Sequence, residues 1–164
     1  MIEEKVNCVE WSDTYSVGIK LLDDQHKGLL DFVNDLFSHA TGNADEEHAY
    51  FQKVIQQATE YISRHFGTEE ECMLALKFSG YAEHKKAHDE FKFAVVKSIN
   101  EYNAGKTMTL KNFANFLKDW IASHVIGMDK QYGAFFAKIG AVKKDGNLTD
   151  ALAKIISKNE KISG

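Results

Sequence analysis

Residues 62–91 read ISRHFGTEEECMLALKFSGYAEHKKAHDEF. His65 and Glu69 stand four apart, and Met73 and Leu76 continue their stripe. Ser79-Gly80 then interrupts the pattern, and Tyr81, His84, His88 and Phe91 resume it. A step of four on a helix turns about 40° and rises one turn, so each polar pair is stacked on one face. Both faces are otherwise apolar. The stretch therefore predicts two inward-facing helices joined by a short turn, each carrying polar ligand-type residues into a core.

The same period extends in both directions. Toward the N-terminus, Leu29, Leu30, Val33, Leu36 and Phe37 mark a helix from about Leu22 to Ala40, stopped by Thr41-Gly42-Asn43. Asn43 is a candidate N-cap, and Asp45, Glu46 and Glu47 suit the positive end of the dipole of the helix it opens. Toward the C-terminus, Leu110, Phe113, Leu117, Trp120, Ile121, His124, Met128, Tyr132, Phe135, Phe136 and Ile139 form a fourth stripe after Asn103-Ala104-Gly105. No segment alternates with strand period over a useful length. The chain contains no proline, so nothing forbids long helices. The expected fold is all-α, an antiparallel up-down-up-down four-helix bundle with an N-terminal arm bearing Trp11 and Tyr15 and a short C-terminal extension. Residues 1–140 are read as the domain with its arm. Residues 141–164 are read as an extension packed on it or trailing from it, with a short amphipathic segment near Leu148 to Ile156.

Length and composition limit the functional classes. The 164 residues fit one domain. A net charge of −4, with basic residues scattered among acidic ones, argues against a nucleic-acid partner. No run approaches a membrane span, and Met1 to Trp11 has no apolar signal core, so a soluble cytoplasmic protein without membrane insertion is expected. Cys8 and Cys72 are too few and too far apart for a disulfide framework or a C-x-x-C metal site, and read as ordinary thiols.

Five of the seven histidines, His26, His65, His84, His88 and His124, fall on apolar faces or at the start of one. A lone inward histidine is usually a hydrogen-bonded core residue. Five imidazoles with inward carboxylates in one layer leave too many polar atoms for too few partners, and metal resolves the excess. Register supports the grouping. With turns centred near Lys106 and near Phe78-Ser79, His124, His88 and Glu69 lie level. A first turn centred on Asn43 leaves His26 and His65 about 7.5 Å out of level. Asp129 follows His124 by five residues, about 140° round a regular helix, so it needs a local distortion or a long reach. The donors exclude iron–sulfur chemistry and are too many for one zinc; they suit two octahedral irons bridged by both carboxylates and an oxygen atom, with one position open. Five neutral ligands against two anionic ones favour binding oxygen over activating it. His39 and His48 receive no role.

Four motifs add a resemblance: W-x-x-x-Y-S-V-G-I-x-x-x-D-x-Q-H from Trp11 to His26, H-F-x-x-E from His65 to Glu69, H-x-x-x-H from His84 to His88, and W-I-x-x-H-x-x-x-x-D-x-x-Y from Trp120 to Tyr132. In this order they resemble the bacterial single-domain hemerythrins. The resemblance implies that His84, His88 and His124 bind one iron, His26 and His65 the other, and that Glu69 and Asp129 bridge an oxo- or hydroxo-linked pair. It implies an apolar oxygen pocket of Phe66, Trp120 and Ile121, the last standing where leucine is usual. The expected function is reversible binding of molecular oxygen for transport, storage or delivery to an oxygen-consuming enzyme, by a monomer that is not itself an enzyme. A di-iron oxidase or peroxidase, which on a ferritin-like bundle uses Glu-x-x-His motifs missing here, and an oxygen or redox sensor are the alternatives.

Overall fold

A computed structural model describes residues 8–105 and 108–162, with side chains through Lys158. Four long helical elements form the bundle. They are α1 (Lys20–His39), α2 (Ala44–Ala75), α3 (Tyr81–Asn103), and a fourth composed of α4 (Leu110–His124), a π-helical turn (Val125–Asp129) and α5 (Lys130–Lys138). A last helix, α6, spans Asp150–Ile162. The all-helical antiparallel architecture expected from periodicity is the one observed. The final turn, centred near Lys106, falls at residues outside the described ones.

Local chemistry sets the ends. The Asn43 side chain accepts from the backbone N–H groups of Asp45 and Glu46 and so caps α2. Thr109 caps α4 by accepting from the Asn112 N–H. Leu22, Leu29, Leu30, Val33 and Leu36 of α1 pack with Phe51, Ile62 and Phe66 of α2, Phe91 and Val95 of α3, and Leu110, Phe113, Leu117 and Ile121 of α4. Each such burial stabilises by roughly 1.5–3 kcal/mol, and this apolar body offsets the cost of the polar layer at one end.

The arm lies along α1. Val9 and Asn34 exchange two hydrogen bonds of 2.8 and 2.9 Å, and Asp23, in the first turn of α1, accepts from Ser16 Oγ and the Val17 N–H. Residues 1–7 of the expected arm lie outside the described residues. The extension forms more helix than the apolar segment near Leu148 to Ile156 suggests. Leu148, Leu152 and Ile156 are buried at four-residue spacing. The Lys20 N–H, one of α1's unsatisfied first-turn donors, donates to the Gly146 carbonyl at 2.9 Å.

The first hairpin differs from the expected register. His26 lies 13 residues before the end of α1 and His65 lies 21 after the start of α2, yet their rings are 4.8 Å apart. The eight-residue excess is about 12 Å of helix, and the connection at residues 40–43 can rise that far when extended. The 7.5 Å mismatch is thus absorbed by the link and not by a staggered site.

Candidate metal centre

Each bundle element delivers donors to one layer: His26 from α1, His65 and Glu69 from α2, His84 and His88 from α3, and His124 and Asp129 from the two ends of the π turn. All seven are buried, with Glu69, His88 and Asp129 at zero exposure. His65–Glu69 and His84–His88 come together by the four-residue helical step. Asp129 comes by the distortion that its five-residue spacing requires. The Lys130 N–H reaches back to the Val125 carbonyl, an i→i+5 bond that widens the turn and stacks Asp129 over His124.

The donor atoms fall into two overlapping groups, each within 4.8 Å: Glu69, His84, His88, His124 and Asp129, and His26, His65, Glu69 and Asp129. Both carboxylates belong to both groups. Asp129 Oδ1 lies 3.1 Å from His84 Nε2 and 3.0 Å from His124 Nε2, and its Oδ2 lies 3.1 Å from His26 Nε2. Glu69 Oε1 lies 3.4 Å from the Nε2 atoms of His26 and His65, while Oε2 lies 3.2 Å from that of His88.

The polar atoms are not satisfied by protein alone. His26 Nδ1 and Nε2, Glu69 Oε2 and both Asp129 oxygens are buried without a hydrogen-bond partner among the described residues. His124 Nε2 lies 3.0 Å from His88 Nε2 and 3.1 Å from His84 Nε2. His88 Nδ1 faces Glu70 Oε1 at 3.0 Å, which keeps its proton there and leaves Nε2 as a bare lone pair. Two carboxylates and five imidazole Nε2 atoms converging on one buried region, several of them without a hydrogen-bond partner among the described residues, fit a cation.

Electrostatics without metal shows the same demand. Burial disfavours a charged His26, but its contacts to Asp129 and Glu69 outweigh this and push it up to about 9. His84 behaves alike, also reaching about 9, with Asp129 the leading partner. Burial prevails at His65, pulled down to about 4 despite Glu69. Burial opposes ionisation of Glu69 and Asp129, yet the surrounding imidazoles hold both below the usual carboxylate range. Protonated imidazoles thus do in part what a bound cation does fully.

Phe66 stacks on His88 at 3.8 Å and 4°, and Trp120 stacks on His124 at 4.2 Å and 13°. Phe66 is also 5.8 Å from His65, and Ile121 is buried in the adjoining core. His39 and His48, left without a role, stack instead on Tyr50 and Tyr102. Cys72 is buried and Cys8 exposed, both as free thiols. Three contributors to the layer were not singled out by spacing. The Tyr132 hydroxyl donates to Glu69 Oε1 at 2.5 Å, Gln25 Oε1 lies 2.8 Å from His65 Nδ1, and Glu70 backs His88. Tyr132 and Gln25 sit inside the quoted motifs, which was their one available signal.

Among the described residues, no helix is long and apolar enough to cross a membrane. A bacteriohemerythrin of Methylococcus capsulatus is 30% identical over 120 residues, covering 73% of this chain and 88% of that protein. A myohemerythrin of Sipunculus nudus is 29% identical over 122 residues, covering 74% and 88%. A crystal structure of wild-type hemerythrin superposes with a TM-score of 0.67 at 29% identity, covering 77% of this chain and 95% of that one. Residues 17–136 match the Hemerythrin HHE cation binding domain, a span that holds all seven clustered donors, and the chain belongs to the hemerythrin family.

Proposed function

We propose that this protein binds molecular oxygen reversibly at a non-haem centre of two irons, as a carrier or store and not as an enzyme. The observation that carries the reading is that two buried donor groups share Glu69 and Asp129. His84, His88 and His124 would complete one position and His26 and His65 the other. Bound iron supplies the electrons and Lewis acidity that oxygen needs in order to bind.

The chain's own residues supply the rest. Glu69 and Asp129 provide the only two anionic charges in the donor set, so little negative charge is available to support strongly oxidising states. Tyr132 fixes one Glu69 oxygen through its hydroxyl. Phe66, Trp120 and Ile121 form an apolar wall that slows entry of water and protons and hence irreversible oxidation. The proposed working unit is a monomer, with residues 1–140 as the di-iron domain and 141–164 as its extension.

Iron analysis with visible spectra of the reduced protein, before air, after air and then under vacuum, tests the reading. The expected result is two irons per chain and a charge-transfer band that rises in air and falls under vacuum. Two irons with immediate irreversible oxidation would point to an oxidase, peroxidase or redox sensor. Absence of iron would overturn the assignment.

A further inference from the structure

The inner nitrogens of the five imidazoles face the carboxylates, but the residues behind the centre treat its two sides differently. On the three-histidine side, His88 Nδ1 is backed by the carboxylate of Glu70 at 3.0 Å, with the Glu70 side chain only 16% exposed. On the two-histidine side, His65 Nδ1 is backed at 2.8 Å by the neutral amide oxygen of Gln25, whose backbone carbonyl accepts from the Tyr61 hydroxyl at 3.0 Å. His26 Nδ1 has no hydrogen-bond partner among the described residues.

Glu69 repeats the asymmetry. Its Oε1, shared by His26 and His65, accepts the Tyr132 hydroxyl at 2.5 Å, whereas Oε2, facing His88 and His84, accepts no hydrogen bond from the described residues. An imidazole N–H that donates to a carboxylate gains imidazolate character and becomes a stronger donor to metal. One that donates to an amide gains much less, and a carboxylate oxygen that accepts a strong O–H bond donates less to metal. Gln25, Tyr132 and the bare His26 Nδ1 all weaken donation on one side, and Glu70 strengthens it on the other. The weakened side also has fewer protein donors, four against five.

We propose that Gln25, Tyr132 and Glu70 are positioning residues that polarise the centre, keeping the two-histidine position electron-poor and so setting how tightly it holds an added ligand. This inference rests on the di-iron oxygen-binding reading. Glu70 sets the opposite pole, an electron-rich three-histidine position that gains nothing from a further ligand. The neutrality of Gln25 is then the functional property, because a carboxylate there would hold His65 equally well.

The test is azide titration of the oxidised, iron-loaded full chain, with midpoint potentials measured alongside, for the unaltered protein and for Gln25→Glu, Tyr132→Phe and Glu70→Gln. Each substitution to or from glutamine keeps the acceptor and changes only its charge. Gln25→Glu is expected to weaken azide binding about tenfold and to lower the potential, and Tyr132→Phe to weaken azide binding several-fold. Glu70→Gln is expected to raise the potential with no loss of azide affinity. Equal azide constants in all four proteins would overturn the inference, as would a Glu70→Gln protein that weakens azide as much as Gln25→Glu does. If Gln25→Glu does not load iron, Tyr132→Phe and Glu70→Gln decide by the same criteria. An unaltered protein without two irons overturns the oxygen-binding reading and this inference together, whereas two irons in every protein with unchanged constants overturns this inference alone.

Discussion

Two stretches each bring one histidine and one carboxylate to the centre, and they do it by different backbones. In α2, His65 and Glu69 are four apart on an undistorted helix. At the end of α4, His124 and Asp129 are five apart across a π turn. The electrostatic outcome differs as well. Asp129 lies within 3.1 Å of three imidazoles, and two of these, His26 and His84, are driven up to about 9, whereas His65 beside Glu69 is driven down to about 4. The regular helix places a carboxylate adequately. The distorted turn places one closer to its partners, with three imidazoles at 3.0–3.1 Å from Asp129 against four at 3.2–3.8 Å from Glu69.

The strongest way to break this comparison is to remove either carboxylate. Glu69→Ala and Asp129→Ala each delete a donor from both groups, so iron content is expected to fall from the proposed two per chain to below one by metal analysis. Two retained irons in either variant would show that the shared carboxylate is dispensable. Next in size is His124→Ala, which touches only the five-donor group; one iron position and reversible oxygenation should be lost. Two irons with normal oxygen binding would contradict the ligand assignment.

Deleting Gly127 sharpens the comparison directly, because it gives His124 and the following aspartate the same four-residue spacing as His65 and Glu69. The bundle should still fold, since the π turn can close to a regular helix. Metal affinity should drop about tenfold or more as the carboxylate leaves its shared position. Undiminished affinity in a competition titration would show that a regular helix places this aspartate equally well.

The smallest effect is in pH dependence of the metal-free protein. His26 and His84 are raised from 6.5 to about 9, so the stability they contribute is complete below about 6.5 and is lost as pH rises through 9. The melting temperature should fall by roughly 10–20 °C between pH 6.5 and 9.5. Asp129→Asn should flatten that fall, and iron loading should abolish it by holding the imidazoles neutral. A metal-free protein whose melting is flat over this range would contradict the dominance of Asp129.

How much of this was legible beforehand follows the same divide. Features repeating with helical period could be read directly: the four stripes, the Asn43 cap, and the His65–Glu69 and His84–His88 pairs. The π turn could not be placed, because Val125-Ile126-Gly127-Met128 has no residue that demands it. Only the awkward five-residue interval signalled that something must distort. The level of His26 with His65 was misjudged because counting from a turn assumes a tight one, and residues 40–43 do not make one. Gln25 and Glu70 were illegible as partners because their contacts are non-local, 40 residues apart in one case and 18 in the other.

Gly133, next to Tyr132, links the arm to this chemistry. A Cβ there would overlap the Val17 carbonyl oxygen, so the last helix of the bundle and the strand-like end of the arm meet backbone to backbone. The arm is therefore a mechanical stop. It fixes how far α5 can slide along its axis, and so how far the Tyr132 hydroxyl can drift from Glu69. In a population of variants, this position should act as a single-residue filter, with even alanine registering at the oxygen of a carboxylate one residue and one hydrogen bond away.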